Sequence, residues 1–311
     1  GLRSAMITVS NGGAELPIRT FMPVGGSEGK MAIMPGALRD PWCFGIKLVA
    51  KYPRAADSPY GTHEGMVLLF DAELGLPVAL IEGATLTGIR TAAASALATD
   101  LLARSDASNL LVIGCGEQAR RHVTALRTVR DFREILIWGR SADRAEALAN
   151  QLSASEGVSV RVAPDLQRAA ATADVITTVT SAREPVLHGD WVSPGTHVNL
   201  VGSAVPTNRE VDRALVTRAR YYVDYRPAAL AAASELLEAI EAGALDETHI
   251  VAEIGAVAHG SALGRRDETE ITVYKSLGVA AQDLAAAHAV YSQAVAEGVG
   301  VDIDLMDTRS P

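Results

Sequence analysis

The residues best suited to binding a ligand form a glycine-rich turn that follows a short apolar segment. Residues 110–113 are apolar, and Gly114, Gly116 and Ala119 follow in a Gly-x-Gly-x-x-Ala pattern. The first glycine permits a sharp turn, the second lets backbone amides approach a phosphate, and the alanine lets a helix pack closely on a sheet. A pyrophosphate would lie at the N-terminus of that helix. The pattern favours dinucleotide binding over a tight turn that binds nothing.

The elements around this turn form a β-α-β unit. Apolar residues repeat at helical spacing from Ala119 to Val129, and a second apolar run follows at residues 135–138. Strands and helices keep alternating afterwards, so the sequence predicts an α/β fold with a parallel, doubly wound sheet that binds ligands at its carboxyl edge. We predict further strands at 158–162, 175–179, 196–202, 221–224 and 270–274, and helices at 144–152, 165–171, 227–242, 251–259 and 278–296.

The end of the second strand indicates which dinucleotide the turn binds. NAD sites carry an acidic residue there for the ribose hydroxyls, whereas this chain has Arg140, Ser141 and Arg144. These side chains suit a 2′-phosphate, for which a charge-assisted hydrogen bond is worth about 1.5–3 kcal/mol. We therefore favour NADP(H) as the cofactor, with NAD(H) as the alternative if both arginines are only solvated surface charges.

The first portion of the chain predicts a β-rich domain. In the strand at residues 44–50, Ile46 and Leu48 alternate with Lys47, so Lys47 projects from the face opposite the apolar set. No helix is predicted before residue 85. The other strands are predicted at 16–20, 31–35 (ended by Pro35), 66–70 and 77–81, with a hairpin at 71–75.

A helix is predicted from residue 85 to about residue 104, with Thr87 as its N-cap. This would place Arg90 in the first turn, where the helix dipole disfavours a cation. The conflict favours an Arg90 that binds an anion over a solvent-exposed arginine. Residues 105–109 would then form a polar linker into the nucleotide-binding domain.

Length and composition exclude several classes of protein. The chain has 311 residues, of which 48% are hydrophobic and 21% charged, as is typical of a globular protein of two domains. A net charge of −9 argues against a nucleic-acid partner. No apolar run approaches the roughly 20 residues of a membrane helix, and no signal-peptide pattern opens the chain. We therefore expect a cytoplasmic protein with no membrane contact, with Cys43 and Cys115 as reduced thiols and without a bound metal, since the histidines lack ligand spacing.

Blocks along nearly the whole chain resemble the ornithine cyclodeaminase/μ-crystallin family. They are Met-Ala-Ile-Met-Pro at 31–35, Gly-Ile-Lys-Leu-Val at 45–49, Leu-Thr-Gly-Ile-Arg-Thr-Ala-Ala at 86–93, Val-Ile-Gly-Cys-Gly-Glu-Gln-Ala at 112–119, Glu-Val-Asp at 210–212 and Glu-Ile-Thr-Val-Tyr-Lys-Ser-Leu-Gly at 270–278. The resemblance implies that residues 1–103 together with 288–311 form a substrate-binding and dimerisation domain, which pairs in a homodimer through a closed β-barrel. Residues 104–287 would form the NAD(P)-binding Rossmann domain.

The resemblance also implies roles for individual residues. Lys47 and Arg90, and more loosely Arg19, match the cations that hold the carboxylate of a small imino- or amino-acid substrate. Lys47 could also donate a proton to the imine nitrogen. The cofactor-binding residues implied by the glycine turn and the family blocks are Thr91, Gly114, Gly116, Gln118, Ala119, Arg140, Ser141, Arg144, Ser203 and Ser276.

One departure from the family pattern separates the possible reactions. Cyclodeaminases carry an aspartate shortly after the strand that ends here at Gly202, and this chain has Ala204 at that position. Alanine can neither hold a distal amine nor move its proton. The resemblance therefore favours the ketimine reductases of the family, which reduce a small cyclic imino acid to an L-amino acid. Ornithine cyclodeaminase, an alanine dehydrogenase-like enzyme and a non-catalytic, crystallin-like nucleotide-binding protein are the alternatives.

Overall fold

The computed structural model describes residues 1–55, 58 and 60–303 and contains two sheets. The first part of the chain forms α1 (Leu2–Ser10), β1 (Ala14–Glu15), β2 (Thr20–Pro23), β3 (Lys30–Arg39), β4 (Trp42–Lys51), β5 (His63–Asp71) and β6 (Pro77–Glu82). The remainder forms α2 (Gly83–Leu102), β7 (Asn109–Ile113), α3 (Glu117–Leu126), β8 (Glu134–Trp138), α4 (Ala142–Glu156), β9 (Val160–Val162), α5 (Leu166–Thr172), β10 (Val175–Thr178), β11 (His197–Leu200), α6 (Arg213–Arg218), β12 (Arg220–Val223), α7 (Arg226–Ala232), α8 (Ser234–Glu241), β13 (Ile250–Glu253), α9 (Ile254–His259), β14 (Thr272–Lys275) and α10 (Ala280–Glu297).

The second sheet is parallel and doubly wound. Within the described residues its strand order is β13-β12-β14-β11-β10-β7-β8-β9. From β7 the chain moves outward to β9 and then returns to β10 on the other side of β7, so the strand order reverses between β7 and β10. Apolar clusters cover both faces of the sheet, which explains the continuous apolar runs of its central strands. The predicted fold class is confirmed, and the carboxyl edge at the reversal is the expected ligand site.

The first sheet is antiparallel and has the order β1-β3-β4-β5-β6, with β2 also paired to β3. Helix α10 packs across β3, β4 and β5 and forms a core with them that includes Leu38, Val67 and Leu284. Lys47 points to this covered face, while Ile46 and Leu48 lie on the opposite, half-exposed face. The predicted alternation along β4 is therefore confirmed, and Lys47 is the residue that becomes buried.

Two predicted boundaries in the first part of the chain are wrong. Strand β3 continues through Pro35, which lies between the segment that pairs with β2 and the segment that pairs with β1. One edge of β3 is unpaired there, so it tolerates a residue that has no N–H group. Helix α2 begins at Gly83 and is capped by the Glu82 side chain, which accepts from the amides of Ala84 and Thr85. Thr87 lies inside the helix and is not its N-cap.

Three further elements differ from the prediction. Residues 2–10 form helix α1, which packs on α9 so closely that a Cβ at Gly255 would lie 1.8 Å from the carbonyl oxygen of Met6. The predicted helix at 227–242 is two helices, separated at Ala233, whose ψ of 85° breaks the helical path. The first part of the predicted helix at 251–259 belongs to β13, because pairing with β12 outweighs the local pattern.

The structure bears on two of the classes considered above, membrane proteins and metal-binding proteins. Among the described residues, no helix is long and apolar enough to cross a membrane. In the same part of the chain, no three His, Cys, Asp or Glu side chains gather as metal ligands would. The domain boundaries at residues 103 and 287 and the cytoplasmic location stay predictions, and residues 304–311 of the predicted C-terminal segment lie outside the described residues.

Candidate active site

The glycine turn lies at the carboxyl end of β7, beside the reversal in strand order. Gly114 has a φ of +132°, and a Cβ there would lie 2.7 Å from the carbonyl oxygen of Val179, so a side chain does not fit. Gly116 faces open space at the start of α3, and no side chain of the described residues caps that helix end. Its first amides are therefore available to an anion. Ala119 is fully buried and keeps α3 against the sheet.

The residues predicted to hold a 2′-phosphate lie next to this turn, at the carboxyl end of β8. Arg140, Ser141 and Arg144 are all exposed. Ser141 accepts the amide of Arg144 at 3.3 Å and so caps α4. The loops after β7 and β8 touch at Gly139, where a Cβ would lie 2.0 Å from Sγ of Cys115. The structure thus places both arginines beside the turn, and their contact with a phosphate stays a prediction.

Lys47 belongs to a second group of side chains, between the two sheets. It is 3% exposed, and its Nζ donates to Oδ1 of Asp283 at 2.7 Å and to Oγ1 of Thr87 at 2.5 Å. Burial lowers the pKa of Lys47 to about 8, although the charge of Asp283 acts in the opposite direction. An ammonium group with a pKa this close to neutrality is well suited to donate a proton.

Arg90 projects from α2 into the same group. Its Nε donates to Oδ1 of Asp283 at 2.9 Å, and its NH1 donates to Oε1 of Gln282 at 2.6 Å. These bonds use two of the five N–H donors of the guanidinium group. Because α2 begins at Gly83, Arg90 lies in the second turn, and the predicted conflict with the first turn was wrong. Its burial with donors to spare is a better indication of an anion site.

Arg19 completes the group from the segment before β2. It donates to the carbonyl oxygen of Leu277 at 2.7 Å and also to that of Gly278. Asp224 accepts the amides of the same two residues at 2.8 and 2.7 Å. Gly278 has a φ of +73°, and a Cβ there would lie 2.6 Å from NH1 of Arg90. The loop after β14 therefore connects Arg19 to Arg90 at the carboxyl edge of the parallel sheet.

The buried part of this site has one more positive than negative charge. Lys47, Arg90 and Arg19 form what we call the cation group; its two buried members, Lys47 and Arg90, share the single carboxylate of Asp283 and so carry a net charge of +1, while Arg19 is partly buried and interacts with Asp224. Burial lowers the pKa of Arg19. Burial also opposes ionisation of Asp283, but the two neighbouring cations outweigh it and hold the pKa of this carboxyl below its usual value. Uncompensated buried charge is costly, so the group fits a monoanion such as a carboxylate.

An open, mainly apolar cavity adjoins Arg19. Met34 lies on its wall and directly opposite Lys47 in the neighbouring strand. The cavity therefore borders the cation group at Arg19. The other main wall residues are Leu16, Tyr225, Ala228, Ala232 and Val279.

The remaining predicted cofactor residues lie around the adjacent strand ends. Thr91, Ser203 and Ser276 are buried. The hydroxyl of Ser203 donates to the carbonyl oxygen of Asn208 and is already engaged within the protein. Oε1 of Gln118 is buried without a hydrogen-bond partner among the described residues, so an acceptor is available beside the glycine turn. The contacts of these four side chains with a cofactor stay predictions.

Two buried carboxylates have roles that the sequence alone did not indicate. Asp283 joins Lys47 to Arg90, and the available signal was an acidic residue inside an alanine-rich helix. Glu210 accepts the amides of Thr180 and Gly202, both at 2.7 Å, and so connects the carboxyl ends of β10 and β11. It lies in a family block to which no role was assigned.

Comparison with known proteins identifies the family. The profile of the ornithine cyclodeaminase/mu-crystallin family matches residues 2–298. The chain belongs to this family. Ketimine reductase mu-crystallin of Mus musculus is 38% identical over 281 residues, which are 90% of this chain and 86% of the mouse protein.

Solved structures of two relatives have the same fold as this protein. Delta(1)-pyrroline-2-carboxylate reductase of Thermococcus litoralis, in complex with NADH and L-proline, superposes with a TM-score of 0.93 at 33% identity, over 97% of this chain and 94% of that one. An archaeal alanine dehydrogenase dimer with bound NAD gives a TM-score of 0.91 at 31% identity, over 98% and 93%. Both relatives bind a nicotinamide nucleotide. The glycine turn of this chain and the uncapped N-terminus of its helix α3 fit the same class of cofactor.

Proposed function

We propose that the protein is an NAD(P)H-dependent reductase of small cyclic imino acids of the pyrroline- or piperideine-2-carboxylate type. The observation that carries the proposal is the buried pair of Lys47 and Arg90 on the single carboxylate of Asp283, with a net charge of +1, at the carboxyl edge of the parallel sheet. Such a group matches the single negative charge of an α-carboxylate. Similarity to a ketimine reductase and to a pyrroline-2-carboxylate reductase supports the same reaction class.

Each part of the site has a distinct role in this reaction. Arg90 and Arg19 hold the substrate carboxylate, and their planar guanidinium groups fix its orientation. The bound nicotinamide, when reduced, supplies a hydride to the imine carbon. Lys47 donates a proton to the imine nitrogen, so that the C=N bond becomes the C–N bond of a cyclic L-amino acid. The apolar cavity beside Met34 receives the ring.

The competing cyclodeaminase reaction lacks a group that it needs. Ala204 stands where a carboxylate would hold the distal amine of a diamino acid, and the cavity beside Arg19 presents mainly apolar side chains. A second ammonium group would therefore enter the cavity without a compensating charge, which is unfavourable. This observation separates the proposed reductase from ornithine cyclodeaminase.

The proposal is tested by following NADPH and NADH oxidation at 340 nm with pyrroline-2-carboxylate and with piperideine-2-carboxylate. Reduction of either ring to the L-amino acid supports the proposal. Absence of reduction, together with ammonia release from ornithine in the presence of NAD, would replace it by the cyclodeaminase reaction. Nucleotide binding without turnover of any imino or amino acid would instead support the non-catalytic alternative.

We further propose NADPH as the preferred cofactor, with Arg140 reading the 2′-phosphate. Arg140→Asp is expected to raise KM for NADPH by about 10–100-fold, because it removes a charge-assisted hydrogen bond. KM for NADH should stay the same or fall, since a carboxylate can accept from ribose hydroxyls. Arg133→Ala is the matched control, because this exposed arginine lies at the opposite end of the same strand. Equal effects on both cofactors would contradict the assignment.

We also propose that the protein forms a homodimer through the outer face of the antiparallel sheet. Met66 lies opposite Leu48 and Leu80 opposite Leu68 on this face, and Met66 and Leu80 are 44% and 61% exposed. Apolar side chains exposed together mark an interaction surface, and an archaeal relative is a dimer. Light scattering is expected to give twice the chain mass of 32.6 kDa; the mass of a single chain would exclude the dimer.

A further inference from the structure

We propose that Asp283 is a positioning residue of the active site, which holds Lys47 and Arg90 in a fixed pair and stabilises the ammonium form of Lys47. The inference rests on the proposed function, because it assigns Asp283 a part in the proton transfer. It concerns a residue of α10, far in sequence from both of the cations that it contacts.

The geometry shows one oxygen serving both cations. Oδ1 of Asp283 lies 2.7 Å from Nζ of Lys47 and 2.9 Å from Nε of Arg90. The three side chains come from α10, β4 and α2 and are 0%, 3% and 6% exposed, respectively. Because both cations converge on the same atom, a rotation of the Asp283 side chain would disrupt both contacts at once. Asp283 therefore links the position of Lys47 to that of Arg90.

A carboxylate is needed at this position for an electrostatic reason. Two cations placed side by side in a buried site repel each other strongly, because the surrounding dielectric constant is low. The neutral amide of Gln282 also accepts from Arg90, at 2.6 Å, but makes no contact with Lys47 that would offset this repulsion. Oδ2 of Asp283 is buried without a hydrogen-bond partner among the described residues. The side chain is thus committed to the two cations and not to a wider structural network.

The charged and titratable groups around Lys47 determine the direction in which its pKa changes when the Asp283 charge is removed. Asp283 faces it from α10, Arg90 from α2, Arg19 from the segment before β2, His63 from β5 and Glu82 from the end of β6. Burial lowers the pKa of Lys47 to about 8, Asp283 raises it, and Arg90 and Arg19 lower it. Removal of the Asp283 charge is therefore expected to lower the pKa of Lys47 further. The ammonium form would then be lost at a lower pH.

The experiment compares wild-type protein with Asp283→Asn over pH 5–10, at saturating NADPH and imino acid. Since a proton donor must be protonated, the rate falls as pH rises through the pKa of Lys47. We expect Asp283→Asn to lower kcat at pH 8 by about 100-fold and to move this fall by at least about one pH unit toward acid. Asp283→Glu, which keeps the charge, should restore the position of the fall even where its rate is reduced.

Asp224→Asn is the matched control. Asp224 is equally buried and lies in the same site, but it accepts from Leu277 and Gly278 and does not contact Lys47. Its replacement is expected to lower activity without moving the fall in rate. A rate that drops in Asp283→Asn with the fall at its wild-type pH would reduce Asp283 to a structural residue and overturn the proposal.

A readout that does not depend on turnover separates this inference from the proposed function. The Cε resonance of Lys47 in 13C-lysine-labelled protein, assigned with the Lys47→Met variant, reports its protonation directly by NMR. A midpoint that moves toward acid in Asp283→Asn supports the inference about the pair even if no imino acid is reduced. An unchanged midpoint would overturn it even in an active reductase. Asp283→Ser, a second variant without the charge, is titrated where the asparagine variant does not fold, and the same shift of the midpoint toward acid is expected.

Discussion

Lys47→Met is expected to lower kcat for imino-acid reduction by about 10²–10⁴-fold, the range attributed to a well-placed proton donor. Methionine has a similar length and keeps the apolar stem of the side chain in the core. It also leaves Asp283 paired with Arg90 at 2.9 Å, so the substitution does not create an isolated buried anion. The loss should therefore appear in the chemical step, with NADPH affinity unchanged because the glycine turn lies on another element.

Single-turnover oxidation of bound NADPH measures this step, and fluorescence titration measures nucleotide binding. Lys30→Met is the control, since Lys30 is an exposed residue at the start of β3. It should have wild-type kcat. If Lys47→Met retained more than about a tenth of wild-type kcat, the proton would have to come from another group or from solvent, and Lys47 would be only a carboxylate ligand.

The nucleotide-binding half of the fold could be predicted from sequence because its signals are local. The turn at Gly114 and Gly116, the run before it and the helix after it all lie within about 20 residues, so short-range sterics determine them. The same holds for Lys47, whose alternation with Ile46 and Leu48 along a strand gave the correct face. The alternation along a strand was sufficient to predict the face of Lys47, and a fixed backbone requirement was sufficient to predict the glycine turn.

The family resemblance indicates the three cations of the site, but the contacts that assemble them could not be predicted in the same way, because they join distant segments. The pairing of Lys47 with Asp283 joins residues separated by 236 positions, and no local pattern encodes it. The role of Arg19 likewise depends on the loop at Leu277, to which it donates. Thr87 has the residue type of an N-cap, yet Glu82 caps the helix, since the side chain that reaches the free amides depends on how β6 enters α2.

Burial of side chains that contact a distant segment also explains why the predicted helix at 227–242 is split. The chain breaks at Ala233 so that Ser234 and Glu235 turn inward beneath the carboxyl edge of the sheet. There Glu235 meets Lys275 at the end of β14, with an N–O distance of 2.6 Å and both side chains almost fully buried. Helical periodicity alone would continue through this point. The buried ion pair therefore indicates why the backbone departs from its local preference.

That pair supports the second large expected effect. Lys275→Met should lower the free energy of unfolding by about 3–5 kcal/mol, because it leaves Glu235 as an unpaired buried charge. The hydroxyls of Ser234 and Tyr221, at 3.0 and 3.4 Å from its carboxylate, do not supply a compensating charge. Glu210 is affected as well, since burial raises the pKa of this carboxyl and the charge of Lys275 opposes that rise. Guanidinium unfolding at a fixed protein concentration measures the loss.

The double variant Lys275→Met/Glu235→Gln distinguishes electrostatics from packing. Glutamine keeps an acceptor for Ser234 and Tyr221 but removes the charge, so we expect it to recover most of the lost stability, to within about 1–2 kcal/mol of wild type. Lys30→Met should change stability by less than about 0.5 kcal/mol, as is usual for an exposed site. If the double variant were no more stable than Lys275→Met, the loss would come from the packed stem of the lysine or from the Glu210 charge, and the pair with Glu235 would not be what holds Ser234 and Glu235 inward at the break in the helix.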